Sequence, residues 1–450
     1  MNKTTARDRK IAYLVGILVL LIPIIVLGMP AGGESSGGTL AQMRERYDLG
    51  DSNLGQVDPT SATMNLLLLG MRGVAVSMLR LDLDTYKDEK EWGKMRATTE
   101  SVLLLQPHYI EVWRFLSWNL AFNVSAEWDG VPDRYYWVKE GGKFAQRGTI
   151  KNKEIPELFW ETGRVWGPKV GRSDESKYFR KYFLKDPDEK VFLGLGDPAV
   201  NPEQQDNYLV AKRWYVNANL REDKREQHIM MRALFRSYPA RSQLDYAEAL
   251  QRDVKEEKST EGVEEKFNLS RAAFEKGFTE WTVDYGKMPF KTSDCVIYME
   301  AKEDDVKNMA RESNVSEAKI HDWLKHYQNT TNYRYWRERS ASESDPNTAK
   351  AHWLMYEGER NFKLGKMELA RVALEDGMEK YAKLMEKYRE LQSEDLTIEE
   401  GLWAVLLWRK TLELLPKPVP IPENYRLKAL WDNNQGLLPS LQDRFNSMGY

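Results

Sequence analysis

A single cysteine, Cys295, stands in the 450 residues, so no disulfide can close within the chain. No histidine lies near it in sequence, and an isolated cysteine of this kind is far more often a packing residue than a nucleophile. Histidine is scarce as well. His108, His228, His321, His326 and His352 are scattered, and His321 and His326, five apart, fall on different helix faces and suit a two-histidine metal site poorly. The phosphate-cradling pattern G-x-x-x-x-G-K-[ST] is absent, and so is the G-x-S-x-G elbow of serine hydrolases. GLGDPA (194–199) has the outline of a dinucleotide loop, but Pro198 and the following Val-Asn-Pro deny it the helix that must begin there. The run RLDLDTYKDEKE (80–91) offers carboxylates, yet Asp82 and Asp84 do not share a helix face, and a solvated charged surface accounts for them. Excess positive charge is also missing. The net charge is −3, and Lys3, Arg7, Arg9 and Lys10 against Asp8 leave the rest of the chain the more acidic, which argues against nucleic-acid binding. No enzyme activity, cofactor or metal is expected.

What is present begins with one apolar run. IAYLVGILVLLIPIIVLGM (11–29) holds no charge, and about twenty apolar residues span a bilayer core. The basic residues precede it, and none follows before Arg44, so the N-terminus is expected inside and the body outside the cytoplasmic membrane. The rival is a cleaved signal peptide. The run is long for one, and Met29-Pro30-Ala31 makes an awkward cleavage site. Gly32, Gly33, Ser35, Ser36, Gly37 and Gly38 then form a flexible tether. A second run, MNLLLLGMRGVAVSML (64–79), is interrupted by Arg72 and is expected as the buried first helix of the body.

Beyond Ser61 the rhythm is helical nearly throughout, with apolar residues three and four apart, as in Leu79, Leu83, Tyr86 and Trp113, Leu116, Leu120. Long alternating stretches of β-branched residues are lacking, and short strands are expected only near CVIYME (295–300). The fold class is therefore all-α. The expected organisation is a cytoplasmic basic tail (1–10), a transmembrane anchor (11–29), a linker (30–60) and N-terminal helical repeats (61–148). A Pro/Gly-rich insertion (149–203), C-terminal helical repeats (204–415) and a Pro-rich stretch with a terminal helix (416–450) complete it.

One phrase occurs twice. EEKFNLSRAAFEKGFTEW (264–281) and LGKMELARVALEDGMEKY (364–381) coincide at Lys266/Lys366, Leu269/Leu369, Arg271/Arg371, Ala273/Ala373, Glu275/Glu375 and Gly277/Gly377. Gly365 is placed to end the first helix of a pair. Gly358, Ala370 and Gly377 are small enough for two antiparallel helices to approach, with Leu374 filling the space towards the next pair. In this spacing the segment from Ala351 resembles the tetratricopeptide repeat, although Leu354 and Ala382 replace that motif's tryptophan and proline. QPHYIEVWRFLSWNL (106–120) also resembles the family's proline-to-tryptophan junction, through Pro107, Trp113 and Leu116. The whole chain resembles uncharacterised membrane-anchored helical-repeat proteins of planctomycete-type bacteria, a likeness that implies membrane association and no activity.

The resemblance implies an irregular α-solenoid, each helix pair burying its apolar face against the next. It also implies that first helices turn certain residues to a concave binding face. These are Arg80, Asp84 and Lys87, then Glu111, Arg114, Trp118 and Phe122, and last His352, Met355, Glu359, Phe362 and Lys363. Asp84 and Glu359 occupy places where the family's carboxylate clamp wants asparagine, so capture of a peptide C-terminus is not expected. The expected partner-binding residues are Arg80, Arg114, Trp118, Phe122, Phe362 and Lys363, and the expected function is a scaffold holding envelope or periplasmic proteins beside the membrane. Two other readings stay open. The tryptophan-rich region 113–166, with Trp113, Trp118, Trp128, Trp137, Trp160 and Trp166, could serve a carbohydrate-binding or carbohydrate-acting envelope protein by stacking on sugars, and the body could be a self-assembling envelope element.

Overall fold

The computed structural model describes residues 72–105, 107–223, 231–256 and 262–449, with single positions between 13 and 42. The expected anchor and linker lie almost wholly outside these residues. Positions 13, 15–17, 19, 20, 22 and 23 of the apolar run are helical with exposed side chains. Among the described residues no helix is long and apolar enough to cross a membrane.

The described chain is mostly helical, and its strands among the described residues are the two-residue β1 (Phe290–Lys291) and β2 (Val296–Ile297), which pair antiparallel, β2 inside the stretch 295–300 where strands were expected. It divides into two compact units, Met1–Thr162 and Gly163–Tyr450.

In the first unit, α1 (Arg72–Asp88) pairs with α2 (Trp92–Leu105). Next, α3 (Ile110–Trp118), prolonged by a π turn over Asn119–Val124, pairs with α4 (Val131–Lys151). Val112, Trp113, Leu116 and Leu120 form the buried stripe of α3. The Trp113 indole donates to the carbonyl of Pro107 at 2.8 Å and packs on Phe144, ring centres 4.9 Å apart. It also lies against Gly148, where a Cβ would come within 3.2 Å of the ring. Ser117 meanwhile donates to the carbonyl of Gly141 at 2.9 Å, so contacts move backward along α4 as they move forward along α3, as an antiparallel pair requires. Trp113 is thus a core residue, as the repeat motif implies.

Most of the second apolar run lies outside the residues whose side chains are described. Of its end, Met78 is 63% exposed while Leu79 packs against the core, and beyond it Leu81 is 69% exposed and Leu83 is buried. The stripe through Leu79, Leu83 and Tyr86 is the one that meets the core, and Met78 and Leu81 point away from it.

In the second unit the proline-rich insertion forms short helices, among them α5 (Pro156–Arg164), which crosses the unit boundary, and α6 (Ser176–Leu184). GLGDPA is a loop, with Gly194 at φ +80°. The longer helices are α7 (Asn207–Glu222), α8 (Arg232–Glu256), α9 (Val263–Thr279), α10 (Glu303–Ser313), α11 (Glu317–Thr331), α12 (Tyr333–Ser344), α13 (Pro346–Lys363), α14 (Met367–Lys387) and α15 (Asp395–Leu414). The Pro-rich stretch that follows is not helical. Two short helices, α16 (Lys428–Asn433) and α17 (Leu438–Ser447), then fold back onto α15.

The repeated phrase supplies the second helix of a hairpin in both copies, α9 against α8 and α14 against α13. Asp345 caps α13 by accepting from the Asn347 N–H at 2.9 Å, and Pro346 opens the helix where its missing N–H costs nothing. Gly365 ends α13 at φ +72°, while the Lys366 N–H donates back to the Asn361 carbonyl at 2.9 Å. A Cβ on Gly358 would sit 2.5 Å from Leu374 Cγ, and one on Gly377 would sit 2.9 Å from Met355 Cγ. Leu374 therefore fills the notch opposite Gly358 inside its own hairpin. In the earlier copy Gly277 receives Leu244 in the same way, and Ser270 donates to the carbonyl of Ala247. Packing does not explain every shared residue: Leu269 and Leu369 are 53% and 57% exposed.

Candidate functional site

A cleft of about 970 Å³ opens in the second unit, walled by α8, α13, α15 and α17. Its apolar lining comes from Phe267, Met355, Leu374, Leu396, Trp403 and Leu407. These residues reach one space because the glycines of the α13–α14 hairpin bring the two helices close.

The floor is ionic and buried. His352, on α13, is 5% exposed. Its Nδ1 meets Glu400 Oε1 at 2.9 Å, and its Nε2 meets Glu343 Oε2 at 3.1 Å. Arg339, one helical turn before Glu343 on α12, pairs with that carboxylate at 2.9 Å and donates to Thr397 at 3.3 Å. Gln251 from α8 also donates to Glu343, at 2.7 Å. The Tyr381 hydroxyl closes the network by donating to the Thr397 carbonyl at 2.9 Å.

Burial alone would push the His352 imidazole towards neutrality, but Glu400 and Glu343 outweigh it and raise its pKa to about 9. Burial would likewise raise Glu343, yet Arg339 and His352 hold it at about 2. Each imidazole nitrogen faces a carboxylate, so both carry protons in this arrangement. Burial pushes the Tyr381 phenol well up, leaving a neutral hydroxyl. The floor is therefore a fixed set of charges through the neutral range. An acid–base catalyst must exchange a proton there, and these groups are poorly set for that work.

Towards the rim, charges also come in pairs. Lys363 meets Glu359 at 2.7 Å, Arg360 meets Glu357 at 3.3 Å, and Arg444 of α17 meets Glu399. Trp403 lies under the Arg444 guanidinium and edge-on to Phe445, at 5.3 and 5.2 Å.

Four of the five residues carried over for the last repeat, His352, Met355, Glu359 and Lys363, line this cleft. The fifth, Phe362, is 8% exposed and belongs to the hydrophobic core, so its ring is a packing group. The remaining expected contacts lie in the first unit. Arg80 donates to the Tyr109 hydroxyl at 2.6 Å, and Arg114 pairs with Glu111 at 3.1 Å. Trp118, 36% exposed, stacks on Phe122 with ring centres 6.3 Å apart.

The tryptophans of region 113–166 differ in burial. Trp113 and Trp166 are buried, whereas Trp128 is 42% exposed and stacks on Trp137, beside the exposed Tyr136. The aromatic and basic stretch 331–339 proves largely internal: Trp336 is buried under Arg241, whose guanidinium lies 3.2 Å from the ring centre. Cys295 is buried beside Thr292 at 3.2 Å, and His321 faces Glu303 instead of the thiol. Among the described residues no cluster of histidine, cysteine and carboxylate could hold a metal ion.

The sequence passed over Arg339, Glu343, Glu400 and Glu248. The one available signal was the i,i+4 spacing of Arg339 and Glu343, which is also how ordinary surface ion pairs are written. In comparisons with protein-family models, curated proteins and solved structures, nothing matches this chain.

Proposed function

We propose that this chain is a membrane-anchored binding protein whose second unit holds a segment of an envelope protein in the α13–α15 cleft. The observation that carries the reading is the cleft's construction. It pairs an apolar wall with charges that already neutralise one another, and such a surface holds a ligand without transforming it. The hairpins α8–α9 and α13–α14 support a tetratricopeptide-like array, in which inward residues of first helices make contact with partners. The uncharged run 11–29, with basic residues before it, supports an anchor that leaves the body on the extracytoplasmic side.

The test is crosslinking in intact cells followed by pull-down and mass spectrometry, comparing the native chain with a Leu364→Glu/Leu396→Glu variant. Both leucines line the cleft and are more than half exposed, so the fold tolerates the change. The expected result is a reproducible set of envelope proteins lost in the variant. Capture that survives this variant but fails in an Arg114→Ala/Trp118→Ala/Phe122→Ala variant would move the contact surface to the first unit. Recovery of the chain alone in every case would refute partner binding.

A second reading is favoured by one observation, the exposed aromatic surface of Trp128, Tyr136 and Trp137, which could stack against sugar rings. Glycan retained by the native chain and lost on Trp128→Ala would support it.

A further inference from the structure

The second unit displays apolar groups that neither its core nor its cleft uses. Leu193, 84% exposed, is the most exposed large apolar side chain among the described residues, and Val191 and Leu195 beside it are 64% and 57% exposed. Leu193 also sits at φ +53°, in the left-handed region that glycine enters at no steric cost. A leucine there costs stability, and this one recovers little by burial. Such a position points to a use outside the fold.

The loop that carries Leu193 is held in shape. The Asp186 N–H donates to the Leu195 carbonyl at 3.0 Å and closes residues 186–195 into one loop. The Gln204 side chain fixes its root, accepting from the Gly196 N–H at 2.7 Å and donating to the Gly196 carbonyl at 3.1 Å. Within the loop, Asp188 caps a single helical turn, Glu189–Phe192, by accepting from the Val191 N–H at 3.3 Å. The apolar tip is therefore presented, not frayed.

The loop returns beside the end of α6, whose exposed residues are Lys177, Tyr178, Lys181 and Leu184. Tyr178 lies against Tyr182, ring centres 6.5 Å apart. Four exposed lysines, Lys177, Lys181, Lys185 and Lys190, stand around the tip against two exposed carboxylates, Asp188 and Glu189, of which Glu189 pairs with Lys185 at 3.2 Å. Asp174 and Glu175 lie at the opposite end of α6. The exposed apolar side chains, Leu184, Val191, Leu193 and Leu195, together offer less than the ~800 Å² that one partner of a stable protein interface buries. A bilayer sets no such minimum, since each apolar side chain that enters it contributes separately. Tyrosine and lysine behind an apolar tip suit the headgroup layer, the one amphipathic and the other drawn to lipid phosphates.

We infer that the loop tip inserts into the surface of a lipid bilayer, with Val191, Leu193 and Leu195 below the headgroups and the lysines at the lipid phosphates. The inference rests on the anchored reading above. A body tethered to a membrane meets it at an effective concentration of about a millimolar, where a contact through a few side chains suffices. The second unit would then have its own hold on the bilayer, separate from the cleft.

The experiment uses the full chain reconstituted into vesicles of phosphatidylethanolamine and phosphatidylglycerol. In a Cys295→Ala background, Val191→Cys carries an environment-sensitive nitrobenzoxadiazole dye. Its emission is expected to shift to the blue and to be quenched by nitroxide-labelled lipid, while the same dye on Leu369→Cys, at an exposed site of α14, stays in water. Leu193→Gly is the decisive variant, because it removes the inserting side chain and also relieves the left-handed backbone. The ratio of inserted to free tip should fall about tenfold or more, and the melting temperature should not fall.

An unquenched dye at position 191, equal quenching at position 369, or insertion indifferent to Leu193→Gly would overturn the inference. An alkaline wash separates it from the anchor. A chain that stays with the vesicles while its tip remains in water keeps the anchor and loses the insertion. A chain stripped by the wash after its tip was quenched keeps the insertion and loses the anchor.

Discussion

The protonated His352 makes the sharpest prediction. Its two ring nitrogens face Glu400 at 2.9 Å and Glu343 at 3.1 Å, and the residue is 5% exposed. Removing the proton would turn one N–H into a lone pair pointed at a carboxylate, at a site with little water to screen the repulsion. The rise from 6.5 to about 9 corresponds to about 3 kcal/mol, at about 1.4 kcal/mol per unit. Because the folded-state value lies above the unfolded one, this contribution is present in full below pH 6.5 and is lost as pH rises through 9. Glu343 behaves in the opposite sense. Its contribution is present above pH 4.5 and is lost as pH falls through about 2. The two values partly describe the same contact and do not add. NMR of the chain carrying carbon-13 histidine reads the titration directly, with the His352 signal assigned by its absence from a His352→Gln spectrum. A midpoint near 9 is expected. Hydrogen exchange on α13 and α15, corrected for the intrinsic rate, should show protection falling by up to about 3 kcal/mol between pH 6.5 and 9. A midpoint at or below 6.5 would mean a neutral imidazole between two carboxylates, and the account of a fixed ionic floor would be wrong.

Replacing His352 by alanine leaves Arg339 facing Glu343 and Glu400 alone, and an unbalanced buried carboxylate should cost about 3–5 kcal/mol in chemical denaturation. Gly377→Ala brings a Cβ to 2.9 Å from Met355 Cγ and 3.2 Å from the Met355 backbone nitrogen, which cannot retreat. A loss of about 1–3 kcal/mol is expected, and a neutral result would show that the hairpin does not depend on close approach there. Leu369→Glu, at a residue shared by both copies of the phrase but 57% exposed, should stay within about 0.5 kcal/mol of the native chain. Gly365→Ala puts a side chain on a backbone at φ +72° and should lower the melting temperature by the equivalent of about 1 kcal/mol.

The helical rhythm and the two hairpins were legible because both are local. A stripe such as Val112, Trp113, Leu116 and Leu120 has a period of its own, and small residues facing a large one, as Gly358 faces Leu374, recur wherever helices approach closely. The exposure of Met78, at the end of the second apolar run, was not legible. An apolar run states what a segment would tolerate, whereas which of its faces meets a core depends on the helices around it. Packing also explains the duplicated phrase only in part. Ser270 and Ala370, Ala273 and Ala373, and Gly277 and Gly377 are buried between helices in both copies, while Leu269 and Leu369 are turned outward in both.

The site was half legible for a similar reason. A repeat motif carries a rule for which residues of a first helix face inward, and that rule reached His352, Met355, Glu359 and Lys363 without any knowledge of what stands opposite. It could not reach the opposing wall. Arg339 and Glu343, four apart on α12, are written like a solvent-exposed ion pair, and nothing in the chain marks that α8 and α15 bury them. The consequence is chemical. At the surface the pair would be worth little and would titrate near its ordinary values. Buried against His352 and Glu400 it becomes a rigid floor whose charge barely changes through the neutral range. A floor of this kind holds its shape across that range, because moving any one of its charges would strand the others away from water.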